Sequence, residues 1–446
     1  MLRQLRQRSL AVLRKEIEPT STDALARFLP DWHGVGSAAA GGGVDRLYEI
    51  IAQLQGVALP ASVLERDVLP ARLHRYSPRW LDELLSAGEV VWVGVGPLGR
   101  DDGKVALYLR ESAALLIPEP LPVGHADRRA EPEHERIRLL LAERGACFFR
   151  ELAAANDAAT LDALWDLVWA GEVTNDSLAA LRALAPGRKT SARSAATMRR
   201  GRPRLGSLSV LGPPKGQGRW SLVARELGTG PFAVSTPTKA EQRAAQRQAG
   251  TERMHALAVT LLERHGVLTR EAIRGEGVPG GFAGLYPLLK AMEESGRIRR
   301  GYFVAGLGGA QFAVPGAVDR LRAFREPPAE PEVVVLAATD PANAFGIALP
   351  WPVKGPQRAA GAYVVLVDGL PSAYLEKGGR SVVALRQFDG EWERPVIRAL
   401  IEVVGPEDDR RSRFRKLVLE TYPPELKQLL VEAGFVPTPK GLAKYA

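Results

Sequence analysis

The pattern of apolar and polar residues between positions 281 and 316 predicts a helix followed by a two-stranded hairpin. Apolar residues recur there at helical spacing, at Leu285, Leu288, Leu289 and Met292. Gly296 ends the predicted helix, because glycine tolerates the positive φ of a helix C-terminus. Two short alternating runs follow, separated by a glycine-rich turn. The order helix, glycine, strand, turn, strand is typical of the recognition helix and wing of a winged helix.

The same order occurs twice earlier in the chain. Residues 81–92 and 164–173 each read as an apolar helix, a small residue, a glycine, a charge and a β-branched residue. Strands over 89–95 and 104–109 complete the first copy as a hairpin. A helix, glycine and strand also occur in unrelated folds, but three copies with fitting upstream helices favour related domains. Their uneven spacing predicts a tandem array of winged helices and not a tight solenoid.

The pattern changes after residue 332. Runs at 333–336 and 363–367 are typical of buried strands, and Asp368-Gly369 and Gly378-Gly379 are turn signals. Strands joined by such turns are antiparallel. The sequence therefore predicts an α+β protein, in which tandem winged-helix domains are followed by a small antiparallel β-barrel or α+β domain.

Proline-rich and polar connectors divide the chain into four predicted domains. A helical and winged-helix domain covers 1–115, and a winged-helix domain with a long basic loop at 186–218 covers 116–229. A third winged-helix domain covers 230–328. The β-barrel-like C-terminal domain covers 329–446.

Composition places the chain among ordinary globular proteins. It has 446 residues, of which 46% are hydrophobic and 25% charged. No apolar run reaches the roughly 18 residues that a membrane helix needs, so no membrane partner is expected. The one cysteine, Cys147, and the lack of a signal peptide favour a reducing, cytoplasmic setting.

The sequence lacks the residue spacings that metal sites and nucleotide sites require. Six histidines and one cysteine form no recognised ligand spacing, and no glycine-rich phosphate loop ending in Gly-Lys-Ser or Gly-Lys-Thr is present. We therefore expect neither a metal ion nor a nucleotide cofactor in this chain.

Positive charge is concentrated in one stretch. The net charge is +9, and residues 177–225 contain no aspartate or glutamate. Such a run can pair with phosphates and makes binding strongly dependent on salt. Within it, Arg200, Arg202 and Arg204 form Arg-Gly-Arg-Pro-Arg, which resembles the core of an AT-hook that enters the minor groove. The alternative, a solvated basic loop, is favoured over a hook that reads sequence.

A second basic group lies on the predicted wing of the third copy. Arg297, Arg299 and Arg300 stand where a wing presents residues to phosphate or the minor groove, although a solvated strand face explains them equally well. The preceding helix carries Lys290 as its one basic residue, which argues against base reading there. The first two copies are acidic, which favours packing or oligomerisation for them.

Six stretches along the chain together carry a resemblance to a known family. Three of them are Leu-Ala-Arg-Phe-Leu-Pro-Asp-Trp at 25–32, Gln-Leu-Gln-Gly-Val at 53–57 and Ala-Thr-Asp-Pro-Ala-Asn at 338–343. The others are residues 81–94, 164–176 and 278–282. With these stretches the chain resembles the C-terminal region of Lhr, the large helicase-related superfamily 2 DNA helicases of bacteria.

The resemblance implies tandem winged helices and a β-barrel module, arranged similarly to bacterial DNA glycosylases of the AlkZ type. It also implies DNA repair and self-association into a homo-oligomer. In the family, an ATPase core precedes this region, so the chain is expected to be a fragment that works with that helicase core. ATP and Mg²⁺ are expected only for the core.

The first function hypothesis is non-enzymatic: the chain binds single-stranded or duplex DNA and gathers subunits for a helicase motor. The alternative is a DNA glycosylase that excises uracil or alkylated bases. The resemblance to AlkZ-type enzymes, which use a Gln-x-Gln motif, points to Gln53 and Gln55 as catalytic candidates. Asp340, in a predicted loop after a strand, is the candidate carboxylate to place or activate water. Asp-Pro-Ala-Asn is also a good turn, and Gln53 can simply face solvent.

A glycosylase also needs side chains that hold a flipped base. Trp32, Tyr48 and Trp351 are candidates for stacking on such a base, and core packing is the competing interpretation for each. Trp32 is the one that we assign to nucleic-acid binding.

Overall fold

A computed structural model of the protein describes residues 18–36, 41–118, 131–153, 157–184, 213–226, 239–329, 331–405 and 413–446. The chain forms two compact units. The middle unit is Gly41–Ala256, and the terminal unit combines the residues up to Ala40 with Leu257–Ala446. The four predicted domain boundaries stay a prediction.

The first module lies in the middle unit and has the topology of a winged helix. Its strands β1 (Leu59–Pro60), β2 (Val90–Pro97) and β3 (Gly103–Leu109) form an antiparallel sheet in the order β1-β3-β2. The helix before β2 is α5 (Pro78–Ser86), which buries Leu81, Leu84 and Leu85. The predicted hairpin is therefore confirmed. The earlier helices are α1 (Thr22–Trp32, in the terminal unit), α2 (Val44–Leu54), α3 (Ala61–Val63), a π-helical turn (Leu64–Val68) and α4 (Leu69–Arg72).

The second module repeats this topology. Its strands are β4 (Cys147–Phe148), β5 (Val173–Asn175) and β6 (Arg219–Leu222), in the order β4-β6-β5. Its helix before β5 is α9 (Asp157–Trp169). The other helices of the middle unit are α6 (Arg110–Leu116), α7 (Pro132–Arg144), α8 (Phe149–Leu152), α10 (Ala179–Arg182), a 3₁₀ turn (Pro214–Gly216) and α11 (Val223–Glu226). Helix α12 (Lys239–His265) begins in the middle unit and ends in the terminal unit.

The third module lies in the terminal unit. Its strands are β7 (Val267–Leu268), β8 (Arg299–Gly301) and β9 (Gln311–Ala313), in the order β7-β9-β8. Helix α13 (Arg270–Gly275) precedes α14 (Gly281–Glu294), and α15 (Ala317–Ala323) follows the sheet. Helix α14 buries Leu285, Leu289 and Met292, as the apolar spacing predicts.

An open sheet follows the third module. Strands β10 (Val333–Ala337), β11 (Tyr363–Val367), β12 (Leu370–Leu375) and β13 (Val382–Ala384) pair antiparallel in chain order. Asp368 and Gly369 both have positive φ, so the predicted tight turn between β11 and β12 is confirmed. The closed barrel is not confirmed, because the described strands form a sheet with β10 and β13 at its edges.

The chain ends in a fourth module that the sequence interpretation missed. After α16 (Glu393–Glu402) come β14 (Lys416–Leu419), a 3₁₀ turn (Pro424–Leu426), α17 (Lys427–Glu432), β15 (Val436–Thr438) and β16 (Gly441–Tyr445). Its sheet has the order β14-β16-β15, which is the topology of the other three modules. The predicted β-barrel-like domain therefore contains a further winged-helix-like fold.

All four modules share one helix-to-strand junction. In each, a glycine with φ between 73° and 84° follows the helix. The N–H of the glycine donates to the carbonyl three residues earlier, and the next N–H donates to the carbonyl five residues earlier. This is the Schellman arrangement, which satisfies the last helix carbonyls and turns the chain into the strand. The glycines are Gly88, Gly171, Gly296 and Gly434.

Candidate nucleic-acid interface

The wing of the third module presents exposed positive charge. Arg297, Arg299 and Arg300 are all exposed on or beside β8. The Arg300 guanidinium donates to the Tyr286 hydroxyl at 3.3 Å and lies 4.0 Å from the Glu293 carboxylate. These are weak surface contacts that a phosphate can replace. The predicted placement of these three residues on a wing is therefore confirmed, and their binding role stays a prediction.

The wing loop is held by a fully buried glutamine. The Gln311 side chain accepts hydrogen bonds from the N–H groups of Phe303 and Val304, both at 2.8 Å, and donates to the Val304 carbonyl at 2.8 Å. Thr20 adds a second anchor, because its N–H donates to the Phe303 carbonyl at 2.7 Å and its carbonyl accepts from Ala305 at 2.8 Å. The loop between β8 and β9 is therefore positioned before any ligand arrives. Sequence reasoning missed this role of Gln311, and a polar residue in a short apolar strand run was the available signal.

Helix α14 of the third module has an exposed face with little charge. Its exposed positions include Ala283, Pro287 and Lys290, and the Lys290 ammonium lies 3.5 Å from Glu294. Side chains that form bidentate contacts to base edges are arginine, asparagine and glutamine, and this face carries none of them. The helix can approach a backbone closely, but it is poorly equipped to read a base sequence.

The corresponding helix of the first module, α5, is held by hydrogen bonds to another part of the middle unit. Asp82 on α5 accepts a hydrogen bond from Arg182 at 2.7 Å, and the same guanidinium donates to both Glu65 oxygens at 2.7 and 2.9 Å. Arg182 also donates to the Pro78 carbonyl at 3.4 Å. The N-terminal turns of α5 are thus tied to the segment after β5.

The corresponding helix of the second module packs against the hairpin of the first. A Cβ on Gly94 would stand 2.1 Å from the Val168 carbonyl oxygen, and one on Gly103 would stand 2.3 Å from the Trp169 ring. Only glycine permits this approach of backbone and ring. The Thr174 hydroxyl adds a hydrogen bond of 2.5 Å to the Trp92 carbonyl. The end of α9 therefore serves as packing surface.

The predicted catalytic aspartate is buried in a turn. Asp340 is 1% exposed, and its carboxylate accepts a hydrogen bond from the Ala342 N–H at 2.8 Å. The Arg358 guanidinium donates to four carbonyls of this loop at 2.8–3.2 Å, those of Thr339, Asp340, Asn343 and Phe345. Burial lowers the pKa of Arg358 to about 10, which still leaves it charged at pH 7. These contacts stabilise the loop.

The predicted glutamine pair lies in the middle unit, at the end of α2. Gln55 is 7% exposed, and its carbonyl oxygen accepts hydrogen bonds from the Leu109 N–H at 3.0 Å and the Ser112 hydroxyl at 2.5 Å. Gln53 is half-buried on α2. Asp340 belongs to the terminal unit, so the structure describes the aspartate and the glutamines separately.

Two of the aromatic candidates, Trp32 and Trp351, pack against other aromatic rings. Trp32 stacks on Phe28 with ring centroids 5.4 Å apart, and its indole N–H donates to the Glu263 carbonyl at 2.8 Å. The Arg320 guanidinium lies 5.5 Å from the Trp32 ring. Trp351 lies in an aromatic group with Phe345 and Tyr374, and Tyr48 is half-buried on α2.

Three predicted site residues, Arg200, Arg202 and Arg204, lie outside the described residues. Their predicted role in DNA binding stays a prediction.

The described residues also bear on other kinds of site. In the described ranges, no cluster of three histidine, cysteine, aspartate or glutamate side chains could hold a metal ion. None of the helices within those ranges is long and apolar enough to cross a membrane. A surface depression of about 530 Å³ lies beside α8 and α9 and is lined by Phe149, Asp157 and Leu161, among other residues, none of which is a predicted site residue.

Comparisons with known proteins agree with the module topology. Residues 20–110 and 247–333 each match a winged-helix domain described for large helicase-related proteins. The chain is 41% identical over 474 aligned residues to a Lhr helicase/probable uracil glycosylase of Mycolicibacterium smegmatis, covering 99% of the chain and 29% of that protein. It is 37% identical over 483 residues to the Lhr helicase/uracil glycosylase of Escherichia coli, covering 99% of the chain and 30% of that protein.

The chain thus spans less than a third of the length of these relatives. Among solved structures, the DNA glycosylase AlkZ of Streptomyces sahachiroi superposes with a TM-score of 0.47 at 13% identity. That alignment covers 91% of this chain and all of the AlkZ chain.

Proposed function

This chain belongs to the C-terminal, winged-helix region of the large helicase-related (Lhr) family, and we propose that it is the DNA-binding and assembly region of an Lhr-type repair helicase. Its partners are then DNA and a helicase core that uses ATP and Mg²⁺. The observation that supports DNA binding most directly is the wing of the third module, where three exposed arginines stand on a loop fixed by Gln311. The matching helices of the first two modules are occupied by packing contacts.

The arginines would contact phosphates, which fix position on DNA and carry no sequence information. Arg299 makes no side-chain hydrogen bond or ion pair with any residue that the structure describes. Together, Arg297, Arg299 and Arg300 give the wing a local positive charge. Counterions would be released when the wing binds DNA. Binding should therefore depend strongly on salt and weakly on sequence.

The test is a triple charge reversal, Arg297→Glu with Arg299→Glu and Arg300→Glu, measured by DNA binding at several salt concentrations. We expect the affinity to fall by about tenfold or more, and the slope of log K against log salt to fall by about one for each arginine that contacts a phosphate. The matched control reverses Arg79, Arg100 and Arg144, three exposed arginines of the middle unit, which changes net charge equally. An equal effect of both triple variants would remove the wing from the proposal.

A second candidate function is uracil excision, and the relatives' own descriptions as uracil glycosylases favour it. On this proposal, Asp340 would place or activate water at the sugar, with Gln53 and Gln55 contributing polar contacts. Asp340 and Gln55 are buried as described, so a conformational change would have to bring them to the DNA.

Excision is tested by incubating the chain with uracil-containing DNA, without ATP or added metal, and treating it with alkali to reveal abasic sites. Asp340→Asn keeps the acceptor for the Ala342 N–H, so its fold should survive, and its thermal midpoint checks this. Loss of cleavage at an unchanged midpoint would support the role of Asp340. Activity retained in both Asp340→Asn and the Gln53→Ala, Gln55→Ala double variant would place catalysis elsewhere.

Self-association, the remaining part of the proposal, rests on the family resemblance. Sedimentation of the chain over a range of concentrations tests it. A single species with the mass of one 48.2 kDa chain would contradict it.

A further inference from the structure

The wing of the third module carries an aromatic residue whose setting is unusual. Tyr302 directly follows β8, two residues after Arg300, and half of its surface (50%) is exposed. The next residue, Phe303, is half-buried, and its ring fills the space where a Cβ on Gly301 would stand. The loop thus holds one ring against its own backbone and leaves the Tyr302 ring facing solvent.

The exposed ring of Tyr302 is held in place. Its hydroxyl accepts a hydrogen bond of 2.8 Å from the Gly306 N–H, and Gly306 reaches this position with a φ of 78°. The backbone after Tyr302 is fixed by the contacts of Gln311 and Thr20 with residues 303–305, and Gly301 before it pairs with Gln311 in the sheet. A ring fixed at both ends loses little conformational entropy when a ligand stacks on it, which favours binding.

We propose that Tyr302 is a stacking platform for an unpaired base of DNA, with Arg299 and Arg300 on the adjoining phosphates. This inference rests on the proposed DNA-binding role of the wing and names the form of DNA that the wing prefers. Every base has a π-face, so the stacking tolerates any sequence. A paired base inside a duplex already stacks on both sides, so only single-stranded or opened DNA offers the face that Tyr302 needs.

Charge and shape favour a nucleic acid over an apolar protein surface as the occupant. Arg299 and Arg300 precede the ring in the chain, and the loop after it contains two glycines, Gly306 and Gly309, at which a Cβ would meet nothing within 4 Å. A cationic edge, one flat ring and an open backbone suit a polyanion with aromatic bases.

The experiment measures binding of the full chain to a single-stranded oligonucleotide with one 2-aminopurine, whose fluorescence falls on stacking, and to a blunt duplex of the same sequence. Removing one stacked base contact costs single-strand affinity about 5- to 150-fold. Tyr302→Ala should therefore lose about tenfold or more on the single strand, with its salt slope unchanged because no charge is removed. Tyr302→Phe keeps the ring and should stay within about threefold of the parent.

Tyr445→Ala is the matched control, because Tyr445 is an exposed tyrosine (52%) on the last strand of the fourth module. Unchanged single-strand binding and quenching in Tyr302→Ala, or an equal loss on duplex, would overturn the stacking role. An equal loss in Tyr445→Ala would overturn it as well.

The two proposals fail differently. If the arginine variant keeps its salt slope while Tyr302→Ala loses quenching, the phosphate contacts are wrong and the stacking stands. If the slope falls and Tyr302→Ala binds like the parent, the wing binds DNA and the stacking is wrong.

Discussion

A largely buried carboxylate in the third module, that of Glu276, shows how single residues stabilise the terminal unit. Glu276 follows α13 and receives a hydrogen bond from Arg264 at 2.6 Å, and its other oxygen lies 2.9 Å from the His265 ring nitrogen. Burial alone would raise the pKa of Glu276, but the charge of Arg264 and the contact with His265 hold that pKa well below its usual range. The ionised form of Glu276 is therefore part of the folded structure at neutral pH.

Glu276→Gln should destabilise the terminal unit at pH 7 by about 3 kcal/mol, because it leaves the buried guanidinium of Arg264 without a counter-charge. The folded-state pKa of Glu276 is depressed, so its contribution is present above the unfolded value of about 4.3 and is lost as the pH falls toward the folded value. The difference in unfolding free energy between parent and variant should thus shrink below about pH 4.3.

Urea unfolding at pH 7, 5 and 3.5, followed by tryptophan fluorescence, measures this difference. A gap between parent and variant that stays constant over this pH range would show that the carboxylate charge has no stabilising role.

At the scale of elements, the junction between helix and wing strand is what the four modules have in common. The glycine at each junction has positive φ, and it closes the helix so that the next residue starts or approaches a strand. A different kind of glycine, Gly94, lies inside β2 and permits α9 of the second module to contact the hairpin of the first. The junction glycines form the turn within a module, whereas Gly94 allows two modules to pack against each other.

These two kinds of glycine predict different costs on substitution. Gly88→Ala meets open space and should cost about 1 kcal/mol, the strain of an alanine at positive φ. Gly94→Ala would force a Cβ to 2.1 Å from the Val168 carbonyl, a backbone atom that cannot move cheaply, and should cost about 3 kcal/mol or more. Thermal unfolding of each variant tests this order, and a midpoint for Gly94→Ala equal to or above that of Gly88→Ala would contradict it.

At the scale of the whole molecule, the modules divide their tasks within each unit. In the middle unit, α5 and α9 are committed to contacts between the first and second modules, and Arg182 joins Glu65 to Asp82. In the terminal unit, the third module leaves its helix and wing exposed. The same topology therefore serves cohesion in one unit and, as we propose, DNA binding in the other.

Arg182→Met should loosen the first and second modules together, because it removes three short hydrogen bonds and leaves the carboxylates of Glu65 and Asp82 without their counter-charge. We expect faster amide hydrogen exchange in both α5 and α10. Arg219→Met, which removes a more exposed pair with Asp176, is the control and should change exchange only near β6. Faster exchange confined to α10 would show that Arg182 does not couple the modules.

Much of the candidate interface could be predicted from sequence because it depends on neighbours in the chain. The third wing is an example: Gly296 and the alternation after it place three arginines on an exposed strand, and the structure confirms that placement. Asp340 shows the limit. Its position in a loop after a strand was correct, but its burial depends on Arg358, which lies 18 residues further on and closes the loop through backbone carbonyls.

The fourth module was missed for a related reason. Helix α17 has 6 residues, and strand β15 has 3 and includes a proline, so neither is long enough to show a period. Strand β16 pairs with both β15 and β14, and its partners in β14 lie 23–29 residues earlier in the chain. This pairing reveals the fold, and it leaves no local pattern.

The sequence by itself determined the repeated unit of helix, glycine and strand, the antiparallel turn at Asp368-Gly369 and the basic wing, because spacing, glycine conformation and charge are local properties. Tertiary structure alone decided which helices are covered, which polar residues are buried and which exposed ring is fixed. Those outcomes depend on contacts between residues far apart in the chain, such as Thr20 with Phe303 and Gly94 with Val168, and no local pattern encodes them.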